Sequence, residues 1–295
     1  MPKFQVGDNN PYIANIQQSL NEKMGANGVA SMPFKAYLKP DGGFGPKTRD
    51  TLQAFQKSIG LPATGVYDVG TENVLAPYIE LRFLTESDYQ GTAQELAAEV
   101  AMVKAITDVE SKDFGFFENG KPVILFERHV FRQKLLAAMK ASTQVALDVA
   151  KILGVGVSVT GPNIDLLDQT MERLNPDIYN HDTGGYKGGM VEYDRMAKAQ
   201  AFHKQSALMS ASWGLFQIMG YHYSALGYAS IDDWVTRMFK SEDEQLAAFG
   251  KFIKINPKLW TAVRSKDFLA FAINYNGPAQ QGYDKRIADA YKKHV

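Results

Sequence analysis

The sequence predicts a mainly α-helical chain, with a small three-helix module followed by a larger helical domain that has at most a minor β element. Three observations carry this expectation. Apolar residues recur at helical spacing through most of the chain, continuous period-two strands are scarce, and Gly-rich turns punctuate the first 80 residues. The 295 residues are long enough for two modest domains, and 45% hydrophobic with 22% charged residues is ordinary globular composition.

In the first part, Ile13, Ile16, Leu20 and Met24 fall on one helical face, and so do Leu52, Phe55 and Ile59. Val74, Leu75 and Ile79 suggest a third short helix. Each helix has few apolar anchors, so the three must share one small core. A short repeat lies between them. Gly42-Gly43-Phe44-Gly45-Pro46-Lys47-Thr48 recurs as Gly65-Val66-Tyr67-Asp68-Val69-Gly70-Thr71. Each copy reads as a tight glycine turn, an aromatic plug and a Thr placed to cap the next helix.

A boundary is expected near residues 80–88, before the cap-like cluster Thr85-Glu86-Ser87-Asp88. This gives a module over 1–80, a linker over 81–87 and a second domain over 88–295. In the second domain Thr92-Ala93-Gln94-Glu95 fits a capping box. Leu96, Val100, Val103 and Ile106 follow as an apolar face, and Glu110 extends it to the helix end. Partial burial would raise the pKa of such a carboxyl and suit it to general-acid work. Position alone also fits a helix-end Glu that faces solvent or caps Ser111.

Val123-Ile124-Leu125-Phe126 is the best extended segment, and Glu127 follows it directly. Glu127 reads either as an ion-pair partner of Arg128 or as a second catalytic carboxylate. Residues 142–180 look like an insertion. Within it, the Gly- and Pro-broken apolar run Val155–Pro162 is taken as a packed loop ahead of a hairpin or a membrane contact. Further on, Ala211-Ser212-Trp213-Gly214-Leu215-Phe216-Gln217-Ile218-Met219-Gly220 combines small residues, aromatics and one amide. Gly214 would let backbone approach a ligand, and Gln217 can donate and accept toward a sugar. Phe268, Phe271, Ala272 and Tyr275 share a last helical face that Gly277-Pro278 stops.

Several function classes are disfavoured. A formal net charge of zero gives no general basic surface for nucleic acid. The chain has no cysteine, so thiolate chemistry and disulfides are excluded. The five histidines show no H-E-x-x-H or similar ligand spacing, and no metal or other cofactor is expected. No G-x-S-x-G signature is present. No stretch approaches the roughly 18 apolar residues of a membrane span, and the N-terminus lacks an apolar core of signal-peptide length. Synthesis in the cytoplasm without stable membrane insertion is expected.

Two resemblances sharpen this. Asp41-Gly42, Phe44-Gly45-Pro46-x-Thr48, Phe55-Gln56, Gly60-Leu61, Thr64-Gly65 and Thr71 resemble the three-helix peptidoglycan-binding module of cell-wall hydrolases over about residues 5–80. The stretch Ala26–Lys39 is longer than that pattern usually has. In the second domain, Glu110-Ser111, then Gly214-Leu215-Phe216-Gln217-Ile218-Met219, then Asn274-Tyr275-Asn276-Gly277-Pro278 resemble the lysozyme-like superfamily. Ile124–His129, Gly184-Gly185-Tyr186-x-Gly188-Gly189, Ser210–Gly214 and Phe252–Pro257 make the match closer to the phage N-acetylmuramidase endolysins.

The resemblance implies a lysozyme-like helical fold and cleavage of the bond between N-acetylmuramic acid and N-acetylglucosamine. It implies Glu110 as the catalytic acid and Glu127 as a second acidic residue. Ser111, Tyr186, Ser212, Gln217, Tyr275 and Asn276 are expected to bind substrate, and Asp41, Phe44, Thr48 and Tyr67 to serve the wall-binding module. The partner is peptidoglycan, met by a monomer that a separate membrane-permeabilising protein releases to the periplasmic wall. A lytic transglycosylase and a non-catalytic wall-binding or virion protein are the alternatives, and the coexistence of Glu110, Gln217 and Tyr275 argues against the last.

Overall fold

The computed structural model describes residues 4–25, 38–75, 83–110, 115–117 and 120–295. The chain divides into two compact units, Met1–Thr92 with Ser241–Asp243, and Ala93–Lys240 with Glu244–Val295.

The first unit contains α1 (Pro11–Gly25), α2 (Pro46–Ser58) and α3 (Val69–Leu75). Ile13, Ile16, Leu20, Leu52, Phe55 and Leu75 form one buried cluster with the two aromatic plugs, Phe44 and Tyr67. Ile59 falls just past α2 and is exposed, as is Val74 on α3; Ile79 lies outside the described residues.

The repeat has a different physical basis from helix capping. Thr48 and Thr71 are buried inside the first turns of α2 and α3, and neither is a cap. Gly45 precedes α2 with Pro46 as the first helical residue, and Asp68 caps Thr71 N at 2.9 Å. Each Thr instead meets a buried glutamine. Gln17 Nε2 donates to Asp41 Oδ1, Gly43 O and Thr48 Oγ1 at 3.1, 2.9 and 3.0 Å, while its Oε1 accepts from Gly42 N at 3.1 Å. Gln56 repeats the pattern. Its Nε2 donates to Thr64 Oγ1, Val66 O and Thr71 Oγ1 at 3.2, 3.0 and 2.9 Å, and Gly65 N donates to its Oε1 at 2.8 Å. Gly65 needs its left-handed φ of +68°, and a Cβ there would stand 2.5 Å from Arg49 Cγ.

The remaining helices are α4 (Glu86–Leu96), α5 (Val100–Glu110), α6 (Arg128–Ala141), α7 (Thr143–Leu153), α8 (Ile164–Leu174), α9 (Val191–Gln200), α10 (Lys204–Met209), α11 (Ile231–Lys240), α12 (Glu242–Lys254), α13 (Pro257–Ser265), α14 (Phe268–Asn276) and α15 (Tyr283–Tyr291). A small antiparallel sheet carries β1 (Ile124–Phe126), β2 (Ala211–Trp213) and β3 (Ile218–Met219), with β2 in the middle. Leu125 pairs with Ser212, and Ser212 with Met219. The fold is therefore mainly α with a minor sheet.

Three sequence expectations change here. The Thr92–Glu95 box lies within α4 and caps nothing; Thr85 starts that helix, with its N and Oγ1 both 2.7 Å from Asp88 Oδ2. The chain then breaks at Ala97, whose φ is +51°, so Leu96 and Ile106 sit on successive helices. The Val155–Pro162 run is not packed either. It forms a turn closed by a Ser158–Gly161 bridge between α7 and α8, with Val157 and Val159 exposed.

Replacing Gln56 by Leu removes the anchor of the second turn and strands the buried Gly65 N–H and the part-buried Val66 carbonyl. The expected loss of module stability is about 2–4 kcal/mol. Amide hydrogen exchange on the full chain should then show Gly65 N–H unprotected; protection equal to wild type would contradict the anchor.

Candidate active site

Glu110 is the last residue of α5. Ala101, Met102, Val103, Ala105 and Ile106 are buried along this helix, which packs against α15. The helix therefore carries Glu110 to the core edge, where it is half-buried. The Tyr283 hydroxyl donates to Glu110 Oε1, and the Tyr275 hydroxyl bonds the same carboxyl group. The Tyr275, Phe271 and Tyr283 rings cluster near-parallel, with centroids 5.4 Å apart for Tyr275 and Phe271, 6.2 Å for Tyr275 and Tyr283 and 6.4 Å for Phe271 and Tyr283. A cleft of about 570 Å³ opens on this group, lined by Val109, Glu110, Asn276, Ala279, Gln280, Gln281, Tyr283 and Arg286.

Burial pushes the Glu110 pKa up to about 7, and the Tyr275 hydroxyl and Arg286 charge oppose that rise without cancelling it. The negative end of the α5 dipole also disfavours an anion there. Tyr275 is itself held well above the usual phenol range, first by burial and then by Glu110, so it remains a neutral donor.

Glu127 occupies the opposite kind of helix end. It immediately precedes α6, its N–H continues the sheet by donating to Ser210 O at 2.9 Å, and its side chain makes no cap bond. The positive end of α6 faces it. The Tyr186 hydroxyl donates to both carboxylate oxygens at 2.9 and 2.8 Å. Burial and the Glu127 charge both raise the Tyr186 phenol pKa. His129 Nδ1 lies 3.3 Å from Glu127 Oε2, within ion-pair range but outside hydrogen-bond alignment. Arg128 does not pair with Glu127. Its guanidinium donates to Pro176 O, Asp182 O and Thr183 O at 3.1, 3.1 and 2.9 Å.

Tyr186 is presented by a loop with Gly184, Gly185, Gly188 and Gly189 all at positive φ. The GG-Y-x-GG spacing thus reflects backbone geometry that side-chain-bearing residues would strain. Gly185 is further constrained, since a Cβ would sit 3.0 Å from the Arg128 guanidinium.

The third cluster is the turn between β2 and β3. Gln217 has a φ of +48° and is exposed, but its amide is engaged within the protein. Nε2 donates to Gly214 O at 2.8 Å and Val123 O at 3.3 Å, and Ser212 Oγ donates to Oε1 at 2.8 Å. These bonds brace the turn against the residue before β1, and the exposed Gln217 remains a candidate sugar contact. Gly214 admits a protein group: a Cβ there would meet Gln245 Cδ at 2.4 Å. Gln245, absent from the sequence-based set, is buried and accepts from Leu215 N at 2.7 Å. Ser111 lies outside the described residues.

The structure thus brings together Glu110, Tyr275 and Asn276, brings Glu127 to Tyr186, and joins Ser212 to Gln217. It adds Tyr283 and Arg286, which reach Glu110 only because α15 folds back on α5. The residues expected to serve the wall-binding module differ in exposure. Phe44, Thr48 and Tyr67 are buried and cannot touch a polymer directly, whereas Asp41 is exposed and spends Oδ1 on Gln17 and Gly43 N.

A family model described as N-acetylmuramidase matches residues 99–295. The chain belongs to the N-acetylmuramidase family. This muramidase also matches a model for a putative peptidoglycan binding domain over residues 9–75. It is similar to the crystal structure of an endolysin from Burkholderia AP3 phage, at 33% identity and a TM-score of 0.61, over 99% of each chain. No curated protein matches it in a sequence search. The muramidase is a glycoside hydrolase with peptidoglycan as its substrate. Among the described residues, no helix is long and apolar enough to cross a membrane.

The raised Glu110 pKa fixes the sign of a stability effect. Below the ordinary value of 4.5 both folded and unfolded states hold the proton, and the favourable protonation difference is fully present. It is lost as pH rises toward about 7. Glu110→Gln should therefore gain stability over wild type between those pH values and hold a constant lead above them, at most about 3 kcal/mol. Denaturant titrations at pH 4 and pH 8 test this; an equal difference at both would remove burial as the cause.

Proposed function

We propose that the chain is a modular endolysin that hydrolyses the bond between N-acetylmuramic acid and N-acetylglucosamine, with Glu110 as general acid. The observation that carries the acid assignment is a carboxyl group at a helix C-terminus, half-buried, raised to about 7 and open to a cleft. It can remain protonated near neutral pH until a leaving group needs the proton. Tyr283 and Tyr275 hold its orientation.

In the reaction, Glu110 transfers its proton to the glycosidic oxygen as the bond from that oxygen to the muramic acid anomeric carbon breaks. Positive charge then develops on that sugar, and the Glu127 carboxylate supplies the opposing charge. Water adds its oxygen to the anomeric carbon and gives its proton to the Glu110 carboxylate, which restores the acid and leaves a reducing end. Tyr186 orients Glu127, while Asn276 and Arg286 line the cleft for substrate. Ser212 and Gln217 act by holding the β2–β3 turn.

The module over 1–80 and the catalytic domain over 88–295, with its 142–180 insertion, divide the labour. A glycan strand is long and repetitive, so tethering raises the local concentration of the catalytic domain. The chain works as a monomer, is made in the cytoplasm, and reaches the periplasmic wall after a separate protein permeabilises the membrane.

Glu110→Gln should abolish lysis of outer-membrane-stripped cells yet leave peptidoglycan pull-down intact, and wild-type activity should fall as pH rises through about 7. Lysis near the wild-type rate by this variant would remove Glu110 from the acid role. Mass spectrometry of the digest should show hydrolysed ends; ends one water lighter would make the enzyme a transglycosylase. Deleting residues 1–80 should weaken pull-down by about ten-fold or more while cleavage of a short soluble fragment changes little. Unchanged pull-down would contradict the tethering role.

A further inference from the structure

Glu192, in the first turn of α9, is completely buried, and Arg195 beside it is nearly so. Glu192 Oε1 accepts from Lys187 N at 2.6 Å and Gly188 N at 2.9 Å. Its Oε2 accepts from Phe126 N at 3.1 Å and from Arg195 at 2.6 Å. Arg195 also donates to Phe126 O at 3.0 Å and, through Nε and its other terminal nitrogen, to Asp177 O at 3.1 and 2.6 Å. Burial alone would push the Glu192 pKa up; three backbone N–H groups and the guanidinium together bring it below the ordinary range.

The two segments held by this pair are those that meet at Glu127. Phe126 is the residue before Glu127, and Lys187 and Gly188 directly follow Tyr186. Stability alone is a weak reason for such a pair, because buried ion pairs are often replaceable by apolar residues at no loss. Its placement offers a stronger one. The four left-handed glycines give the loop little intrinsic preference for one shape, and Tyr186 is exposed. Something must therefore fix the loop against β1 for the Tyr186 hydroxyl to reach both Glu127 oxygens.

We propose that Glu192, locked by Arg195, is a positioning residue for hydrolysis: it clamps the Tyr186 loop to the end of β1 and so aims the Glu127 carboxylate. The proposal rests on the catalytic reading of Glu127. It touches no substrate, and its effect passes through the Tyr186–Glu127 pair.

The test uses the full-length enzyme on solubilised glycan strands. In Glu192→Gln one amide N–H must oppose a backbone N–H or the Arg195 guanidinium. The expected result is a fall in kcat of about ten-fold or more, with KM within about two-fold and wall pull-down unchanged. Tyr186→Phe should lower kcat on its own, and adding it to Glu192→Gln should lower kcat by no more than about two-fold further, since both act on one contact. A Glu192→Gln kcat near wild type, or penalties that multiply in the double variant, would overturn the clamp. If Glu192→Gln does not fold, Arg195→Lys, which keeps the charge but not the fork to Asp177 O, should lower kcat by about three-fold or more with the same non-multiplying behaviour toward Tyr186→Phe; penalties that multiply there would equally overturn the clamp. Glu127→Gln, measured in parallel, separates the failures. Full activity in that variant would sink the Glu127 reading and the clamp together, whereas loss there with Glu192→Gln intact would sink the clamp alone.

Discussion

A carboxyl group at the C-terminal end of a helix, partly withdrawn from water, is disfavoured as an anion on two counts. Glu110 is in that position because α5 buries most of its length and α15 lies along it. The same packing brings the Tyr283 and Tyr275 hydroxyls to the carboxyl group and leaves the cleft open on one side. If α15 moved away, Glu110 would regain water and lose the Tyr283 hydroxyl that this helix carries. The proton that the proposed chemistry needs thus depends on a helix–helix contact between the two ends of the second domain's sequence.

The sheet and its neighbours build the contrasting carboxylate. Glu127 ends the β1 ladder and begins α6, so its backbone is fixed on both sides. Arg128 fastens the 176–183 segment, Glu192 and Arg195 fasten the loop beyond it, and Gln217 ties the β2–β3 turn back to Val123. Much of what lies around Glu127 is polar scaffolding aimed at backbone groups. Backbone partners hold shape whatever the neighbouring side chains are, which suits a region where several short segments meet.

Periodicity exposed the helices whose buried faces are continuous, such as α1 with Ile13, Ile16 and Leu20. It failed at Ala97, because an apolar stripe can be shared by two successive helices and a positive φ leaves no trace in the pattern. Glu110 was legible because a carboxylate on an apolar face is unusual, and Glu127 because it follows a strand. Tyr283 and Arg286 were not, since nothing local marks them and only tertiary packing brings them to Glu110. Gln217 and Gln245 look alike as isolated amides, yet one braces an exposed turn and the other fills the space that Gly115 and Gly214 leave open. Sequence reports which groups can hydrogen-bond; the fold decides with whom.

The paired glutamines of the first unit have one more consequence. Gln17 lies on α1 and fixes the turn before α2, while Gln56 lies on α2 and fixes the turn before α3. Each helix thus specifies the entry of the next, as a relay along the chain. Residues can be inserted between a helix and the following turn, as with the long Ala26–Lys39 stretch, provided the glutamine still meets its turn. The relay makes the connecting lengths free to vary while the joints stay fixed.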